Sequence, residues 1–327
     1  MNDMSIMPLN RRNVPASRLV LGCMGLGGDW DESPITSLHL KEAHEAVDAA
    51  LAVGINMYDH ADIYTRGKAE EVFGQVLKER PELRESMIIQ SKCGIRFAEQ
   101  NGVPGRYDFS KEHIIHSVDG SLKRLGIEYL DLLLLHRPDP LMDPSEVAEA
   151  LEDLKASGKV RHFGVSNMHA GQISLLQAYT KEPFIVNQLQ MSLQHLGWLD
   201  AGVHVNQEAF QNHTFPAGTL EYCQQNNIQI QAWGSLARGL YTGRAVEQLP
   251  EDIQETAALI QRLAQEKEAS PEAVLLAWLM KHPAGIQPVI GTRNPDRIRA
   301  CGGAELVELT REEWYSLYVS ARGKALP

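Results

Sequence analysis

Four residues in the first half of the chain have the types needed for proton chemistry. They are Asp59 in NMYDHADIY, Tyr64 five residues later, Lys92 in IIQSK and His136 in DLLLLH. A lysine ammonium beside a tyrosine favours the phenolate and lowers the tyrosine pKa. A carboxylate partner holds a buried ammonium in place and offsets its desolvation. A nearby histidine can hydrogen-bond a substrate oxygen. Together they describe a tyrosine that donates a proton to a developing alkoxide and takes it back in the reverse direction. The set implies neither a nucleophile nor a metal. It lacks a source of hydride, which side chains cannot supply and a nicotinamide can.

Groups suited to such a cofactor follow along the chain. Ser166, Asn167 and Gln188 carry hydroxyl and amide groups that could pin a carboxamide, although Asn167 could instead cap the next helix. Trp233 offers a flat face for stacking, or fills a core. Ser235 and Leu236 follow it and join the expected cofactor set. Gly291, Thr292, Arg293 and Arg297 belong to a loop entering a short helix, a frequent place for phosphate. Trp30, Tyr107, Phe109, Trp198 and Phe210 are candidate aromatic walls of a substrate pocket, and each could equally pack a loop.

Several familiar motifs come close and fail. Gly25-Leu26-Gly27-Gly28-Asp29-Trp30 has tryptophan where the dinucleotide-binding GxGxxG needs glycine. His44-Glu45 begins HExxH, but Asp48 breaks it. Gly164-Val165-Ser166-Asn167-Met168 lacks the second glycine of a nucleophile elbow. His113 and His116 have no cysteine or carboxylate cluster beside them to make a metal site.

The elements that must position these residues show as an alternation. Strands are expected at Leu19–Gly22, Asn56–Asp59, Met87–Lys92, Leu130–His136, Val160–Val165, Phe184–Leu189, Ile228–Ala232 and Ile286–Ile290. Several are continuous apolar runs, as in strands buried on both faces. Helical stretches lie between them. Leu38–Val53 stops at Gly54, and Ser110 opens a stretch that stops at Gly126. Asp143-Pro144 and Ser270-Pro271 each open another, Glu251–Lys267 is amphipathic, and Thr310 with Glu313 suggests a capping box.

Eight strand–helix units point to a closed (β/α)8 barrel, one domain over residues 1–327 with an extra C-terminal helix, rather than an open doubly wound sheet. Asp59, Lys92 and His136 then stand at three consecutive strand ends, on the face where barrels carry their sites. Three long loops, Gly94–Phe109, Gln190–Pro216 and Gly234–Pro250, leave the same face.

Composition agrees with this reading. The chain has 327 residues, 43% hydrophobic and 22% charged, which excludes global disorder. Its net charge of −11 and lack of a basic run argue against nucleic acid. Cys23, Cys93, Cys223 and Cys301 form no CxxC pair, which fits a reduced compartment. An ammonium at Lys92 could favour the Cys93 thiolate. No secretory signal or membrane span is visible, so a cytoplasmic enzyme is expected.

The segments MYDHADIYTRGKAEEVFG, IIQSKCG, LDLLLLHRPDP, GKVRHFGVSN and PVIGTRNPDRI carry a resemblance. In their order and spacing the chain resembles the aldo-keto reductase family from about Leu19 to Leu317. YDFSKEHI and NQLQMSL resemble bacterial members described only as oxidoreductases. The resemblance implies a catalytic tetrad of Asp59, Tyr64, Lys92 and His136, with Tyr64 the general acid. It implies carboxamide binding by Ser166, Asn167 and Gln188, and an aromatic ring, Trp233, against the nicotinamide. It implies a dinucleotide extended across the barrel mouth without a Rossmann domain.

Two positions depart from the family. Its lysine after the eighth strand is Gly291, and its asparagine four residues past the arginine is Cys301. Arg297 remains, with Arg293 placed to substitute. NADP(H) is the expected cofactor, with NAD(H) open; Asp296 is the acidic residue considered for a free 2′-hydroxyl. The implied activity is reduction of an aldehyde or ketone, with no nucleic-acid, membrane or obligatory protein partner. The alternatives are an alcohol or sugar dehydrogenase run oxidatively, and a nucleotide-sensing subunit like the β subunits of potassium channels.

Overall fold

A computed structural model describes residues 7–208, 214–243 and 248–327. Among these residues eight parallel strands close a barrel. They are β1 (Val20–Gly22), β2 (Met57–Asp59), β3 (Ile88–Cys93), β4 (Leu130–Leu135), β5 (Val160–Ser166), β6 (Phe184–Gln190), β7 (Gln229–Trp233) and β8 (Gln287–Ile290). Neighbours in the barrel are neighbours in the chain, and β8 closes onto β1. Each observed strand end lies within one residue of the expected one.

The apolar runs are continuous because both faces are covered. In β4, Leu132 and Leu134 point into the barrel, where they pack with Val20, Met57 and Ile88. Leu133 and Leu135 point outward into the larger core under the helices. Met7, Leu9, Val14 and Ala16 belong to the interior cluster, so the N-terminal segment fills the barrel from the end where the strands begin. The site face is the other end.

The punctuated helices form as expected. Ser37–Ala52 precedes left-handed Gly54, and Lys111–Leu125 runs from the Ser110 cap to left-handed Gly126. Pro144–Ala156, Glu251–Glu266 and Pro271–Met280 follow, and Arg311–Arg322 starts with the Thr310–Glu313 capping box. Other helices had no readable start, Lys68–Glu79 and Ala170–Gln177 among them. Lys68–Glu79 opens on left-handed Gly67 with no side-chain cap. Ala170–Gln177 is capped by His169, whose Nδ1 accepts from the backbone of Gly171 and Gln172. That corrects the capping alternative for Asn167.

The first long loop contains a small antiparallel hairpin, Ile95–Arg96 with Arg106–Tyr107. No helix among the described residues is long and apolar enough to cross a membrane. All four cysteines are buried and unpaired.

Helix packing is tight enough to demand one particular glycine. A Cβ at Gly74, in Lys68–Glu79, would fall 2.2 Å from the Arg124 carbonyl oxygen and 2.9 Å from the Leu125 carbonyl carbon. Backbone cannot yield as a flexible side chain does. Gly74→Ala is therefore expected to lower stability by about 1–3 kcal/mol, the usual effect of overpacking, read as an earlier urea midpoint. An unchanged midpoint would show that the two helices can separate freely.

Candidate active site

The four proton-chemistry residues meet at the ends of β2, β3 and β4. The Lys92 ammonium is buried and donates to the Asp59 Oδ2 at 2.8 Å, the His60 carbonyl at 2.9 Å and the Tyr64 hydroxyl at 2.7 Å. All three of its protons are used. Asp59 also accepts from the side-chain amides of Gln90 and Gln188. The Tyr64 oxygen takes the lysine proton, and no acceptor among the described residues takes the proton of Tyr64 itself. That hydroxyl borders the cavity above the barrel.

Tyr64 is held by an unusual loop. Thr65, Arg66 and Gly67 all have positive φ, at 46°, 60° and 89°. Non-glycine residues resist this region, so other contacts must hold it. Thr65 Oγ1 donates to the Leu26 carbonyl at 2.9 Å, and Arg66 Nε to the Trp30 carbonyl at 3.4 Å. Arg124 packs beneath Gly67 and pairs with buried Glu70.

The electrostatics correct one expectation. Burial pushes the Tyr64 pKa up to about 12, outweighing the lowering by Lys92, while Asp59 adds to the rise. Lys92 ends above the usual lysine value: burial opposes the ammonium, but Asp59 and Tyr64 more than compensate. His136 is held well below the usual histidine range by burial, then by the charges of Lys92 and Arg137. At neutral pH the site is therefore a phenol, an ammonium and a neutral imidazole. The Cys93 thiol is also corrected: burial pushes it well up, with Asp62 adding, so no thiolate forms there.

A cavity of about 650 Å³ runs over this cluster. Ser166, Asn167, Gln188, Trp233, Ser235, Leu236, Gly291, Thr292 and Arg297 all line it, from β5 around to the loop after β8. Asn167, at φ 58°, is tied by its amide to the His136 carbonyl and Ser166 Oγ, and accepts from the Trp233 indole at 3.1 Å. The Gln188 amide nitrogen is committed to Asp59 and Gln231, which leaves its carbonyl oxygen. Ser235 Oγ donates to the Val289 carbonyl.

Other expected residues lie elsewhere. Arg293 is absent from the cavity lining; it donates to the Gly25 carbonyl at 2.8 Å and pairs with Glu42 at 3.4 Å. Asp296 is exposed and pairs with Arg299. Among the aromatic candidates, Trp30 does line the cavity, edge-on to Tyr64. Phe109 is corrected to core, packed against Gly94; Trp198 lies outside this cavity, buried edge-on to Trp278 and His282, and lines a neighbouring pocket of about 350 Å³ with Asn167, Gln190 and His195. Tyr107 sits exposed on the hairpin, away from the cavity. Phe210 lies outside the described residues.

The structure also adds residues that sequence alone did not mark. Gln90, Gln231 and Gln287 join the expected Gln188 in a chain of amides across the barrel beneath Asp59. Glutamines inside otherwise apolar strands were the available signal. Arg137, Gln190, His195 and Glu272 also reach the cavity.

A parallel βα barrel whose strand ends pair a buried lysine with a tyrosine, beneath a long cavity, defines a class. It is that of oxidoreductases acting on carbonyl and alcohol groups. The chain belongs to the aldo/keto reductase family, whose family model matches residues 18–318. It is 38% identical over 316 residues to the 6-dehydroglucose reductase of Agrobacterium fabrum, covering 94% of this chain and 95% of that protein. In structure it is similar to the glycerol dehydrogenase of Gluconobacter oxydans, with a TM-score of 0.76 and 24% identity over 96% of this chain and 94% of that one. It is also similar to an aldo/keto reductase of Klebsiella pneumoniae solved with NADP and acetate, with a TM-score of 0.70 and 23% identity over 92% and 90% of the two chains.

Proposed function

We propose that the protein reduces an aldehyde or ketone with NADPH, and that Tyr64 supplies the proton. The observation carrying this reading is the Lys92 ammonium, which spends its three hydrogen bonds on Asp59, His60 and the Tyr64 oxygen and leaves the phenolic proton facing the cavity.

The cavity lining fits a nicotinamide dinucleotide. Trp233 presents an indole, Asn167 and Gln188 present amides, and Arg297 presents a guanidinium with no protein partner among the described residues. Such a cofactor, when bound, supplies the hydride. Tyr64 then donates its proton to the oxygen of the reduced carbonyl. Lys92 stabilises the phenolate left behind, and Asp59 keeps the ammonium fixed. Neutral His136 can donate one hydrogen bond to the same oxygen and so orient the carbonyl. Arg297 offers a charge for a phosphate, which favours NADP over NAD; the NADP of the Klebsiella relative agrees. We also propose a single catalytic domain.

The substrate end is polar. Arg137, Gln190, Gln194 and His195 share it with Trp30 and Ile95. Together with the 6-dehydroglucose reductase relative, this favours a small polar carbonyl compound, such as a sugar aldehyde.

The test is NADPH oxidation with a panel of sugar, aliphatic and aryl carbonyl compounds. Donation needs the phenol, which persists until pH rises through the Tyr64 value of about 12. Reduction should therefore hold steady from about pH 6 to about pH 9, while alcohol oxidation, which needs the phenolate as base, should rise with pH. Lack of turnover across the panel, or reduction that rises with pH, would refute the reading.

A further inference from the structure

Lys68 is a buried charge in an unfavourable place. It opens the helix Lys68–Glu79, where the free N–H groups of the first turn repel a cation, and it is only 6% exposed. The proton chemistry does not use it, and it does not line the cavity. Its partners lie in the loop after β1. The ammonium donates to the Asp31 Oδ1 at 2.8 Å, the Ser33 carbonyl at 3.2 Å and the Ser33 hydroxyl at 3.4 Å, so all three protons go to one surface segment. Lys68, and then Ser33, hold the Asp31 carboxyl below the usual carboxylate range.

That segment has no helix or strand, and residues 29–34 are exposed. Among the described residues, the side-chain hydrogen bonds that reach residues 27–33 from elsewhere come from Arg66 and Lys68. Gly27 lets the loop lie directly on the helix start: a Cβ there would fall 2.6 Å from the Lys68 carbonyl carbon. What the clamp carries is Trp30, the residue next to Asp31. Trp30 lines the cavity, edge-on to Tyr64 with ring centroids 6.5 Å apart. Phe97, from the loop after β3, meets it edge-on at the same separation, and the Arg66 guanidinium lies 5.1 Å over the Phe97 ring. The left-handed turn that carries Tyr64 therefore also aims Arg66 and Lys68 at the segment that holds Trp30 over it.

We propose that Lys68 is a positioning residue for substrate recognition: by clamping Asp31 and Ser33 it fixes Trp30 as a rigid wall above Tyr64. It touches neither substrate nor cofactor. A wall fixed in advance spares substrate binding the cost of ordering it. The clamp acts on affinity for the carbonyl compound and leaves proton transfer unchanged. The proposal rests on the reduction reading above.

The test compares Lys68→Met, Asp31→Ala, Trp30→Ala and the double variant Lys68→Met with Trp30→Ala in steady-state reduction. Acrylamide quenching of tryptophan fluorescence is read alongside. Lys68→Met keeps the apolar stem and leaves Asp31, already exposed, to water, so the fold survives. KM for the best carbonyl substrate should rise about tenfold in Lys68→Met and in Asp31→Ala, with kcat within about twofold and NADPH affinity unchanged, the signature of lost ground-state binding. Asp31→Glu keeps a charge within reach of Lys68 and should restore a KM near that of the wild type. Trp30→Ala should raise KM on its own but add less than about twofold once Lys68 is gone. The Trp30 emission, taken as the difference between each protein and its Trp30→Ala counterpart, should become more open to quenching in Lys68→Met. An unchanged KM, a loss confined to kcat or to NADPH affinity, or additive effects in the double variant would overturn the proposal. If the wild type reduces no carbonyl compound, the reduction reading fails, and the Trp30 quenching alone decides the clamp: a rise supports it and no change overturns it.

Discussion

Tyr64→Phe should leave the fold and cofactor affinity intact and lower kcat for carbonyl reduction by about 10²–10⁴-fold, the usual worth of a positioned general acid. The phenylalanine ring keeps the edge contacts of Tyr64 with Trp30 and His136. Only the hydroxyl is lost. Lys92 keeps two of its three acceptors, Asp59 and the His60 carbonyl, so the buried ammonium remains compensated. The decisive measurement is single-turnover oxidation of bound NADPH beside a separate binding titration. A variant with near-native turnover would remove Tyr64 from the reaction. A variant that lost binding instead would make the residue structural.

Lys92→Met should do more damage, because it strikes stability and chemistry together. Lys92 and Asp59 are a buried ion pair at 2.8 Å. Removing one partner of such a pair typically costs about 3–5 kcal/mol, since the other charge stays buried. The amides of Gln90 and Gln188 still reach Asp59 and soften the loss, which places the expected effect at the lower end. Chemically, the Tyr64 pKa should rise further without the ammonium that lowers it, making the phenol a poorer acid. Turnover should fall at least as far as in Tyr64→Phe. The double variant should be little worse than the worse single one, because the two residues act as a unit. Urea unfolding and single-turnover rates check the two halves separately. Additive losses in the double variant would mean that the lysine works independently of the tyrosine.

How much of this was legible in the sequence depends on whether a property is local. The eight strands could be placed because burial on both faces demands continuous apolar runs, and LDLLLL shows that directly. The helices with Ser, Asp or Thr caps could be placed for the same kind of reason. Lys68–Glu79 could not, because its start is a left-handed glycine inside a loop held by distant contacts. The meeting of Asp59, Lys92 and His136 followed from strand ends, since a barrel brings consecutive strand ends to one rim, while Tyr64 reaches them from the loop after β2.

Properties set by burial escaped. Lys92 was expected to lower the Tyr64 pKa, and its contribution does have that sign. Desolvation is larger and reverses the outcome, and desolvation depends on everything packed around the ring. Phe109 and Trp198 look like pocket aromatics by type and loop position. Whether they face the cavity or the core turned on Gly94 in one case and on Trp278 and His282 in the other. Arg293 and Arg297 read alike in GTRNPDR, yet one is held by Glu42 and the other faces the cavity.

By itself, the sequence determined the barrel, the strand ends and the identity of the four residues at their rim, because periodicity and position along a strand are properties of neighbouring residues. Only the tertiary structure decided the raised pKa of Tyr64, the placing of Arg297 but not Arg293 at the cavity, and the glutamine ladder beneath Asp59. Each of these is a balance of burial and through-space charge between segments far apart in the chain.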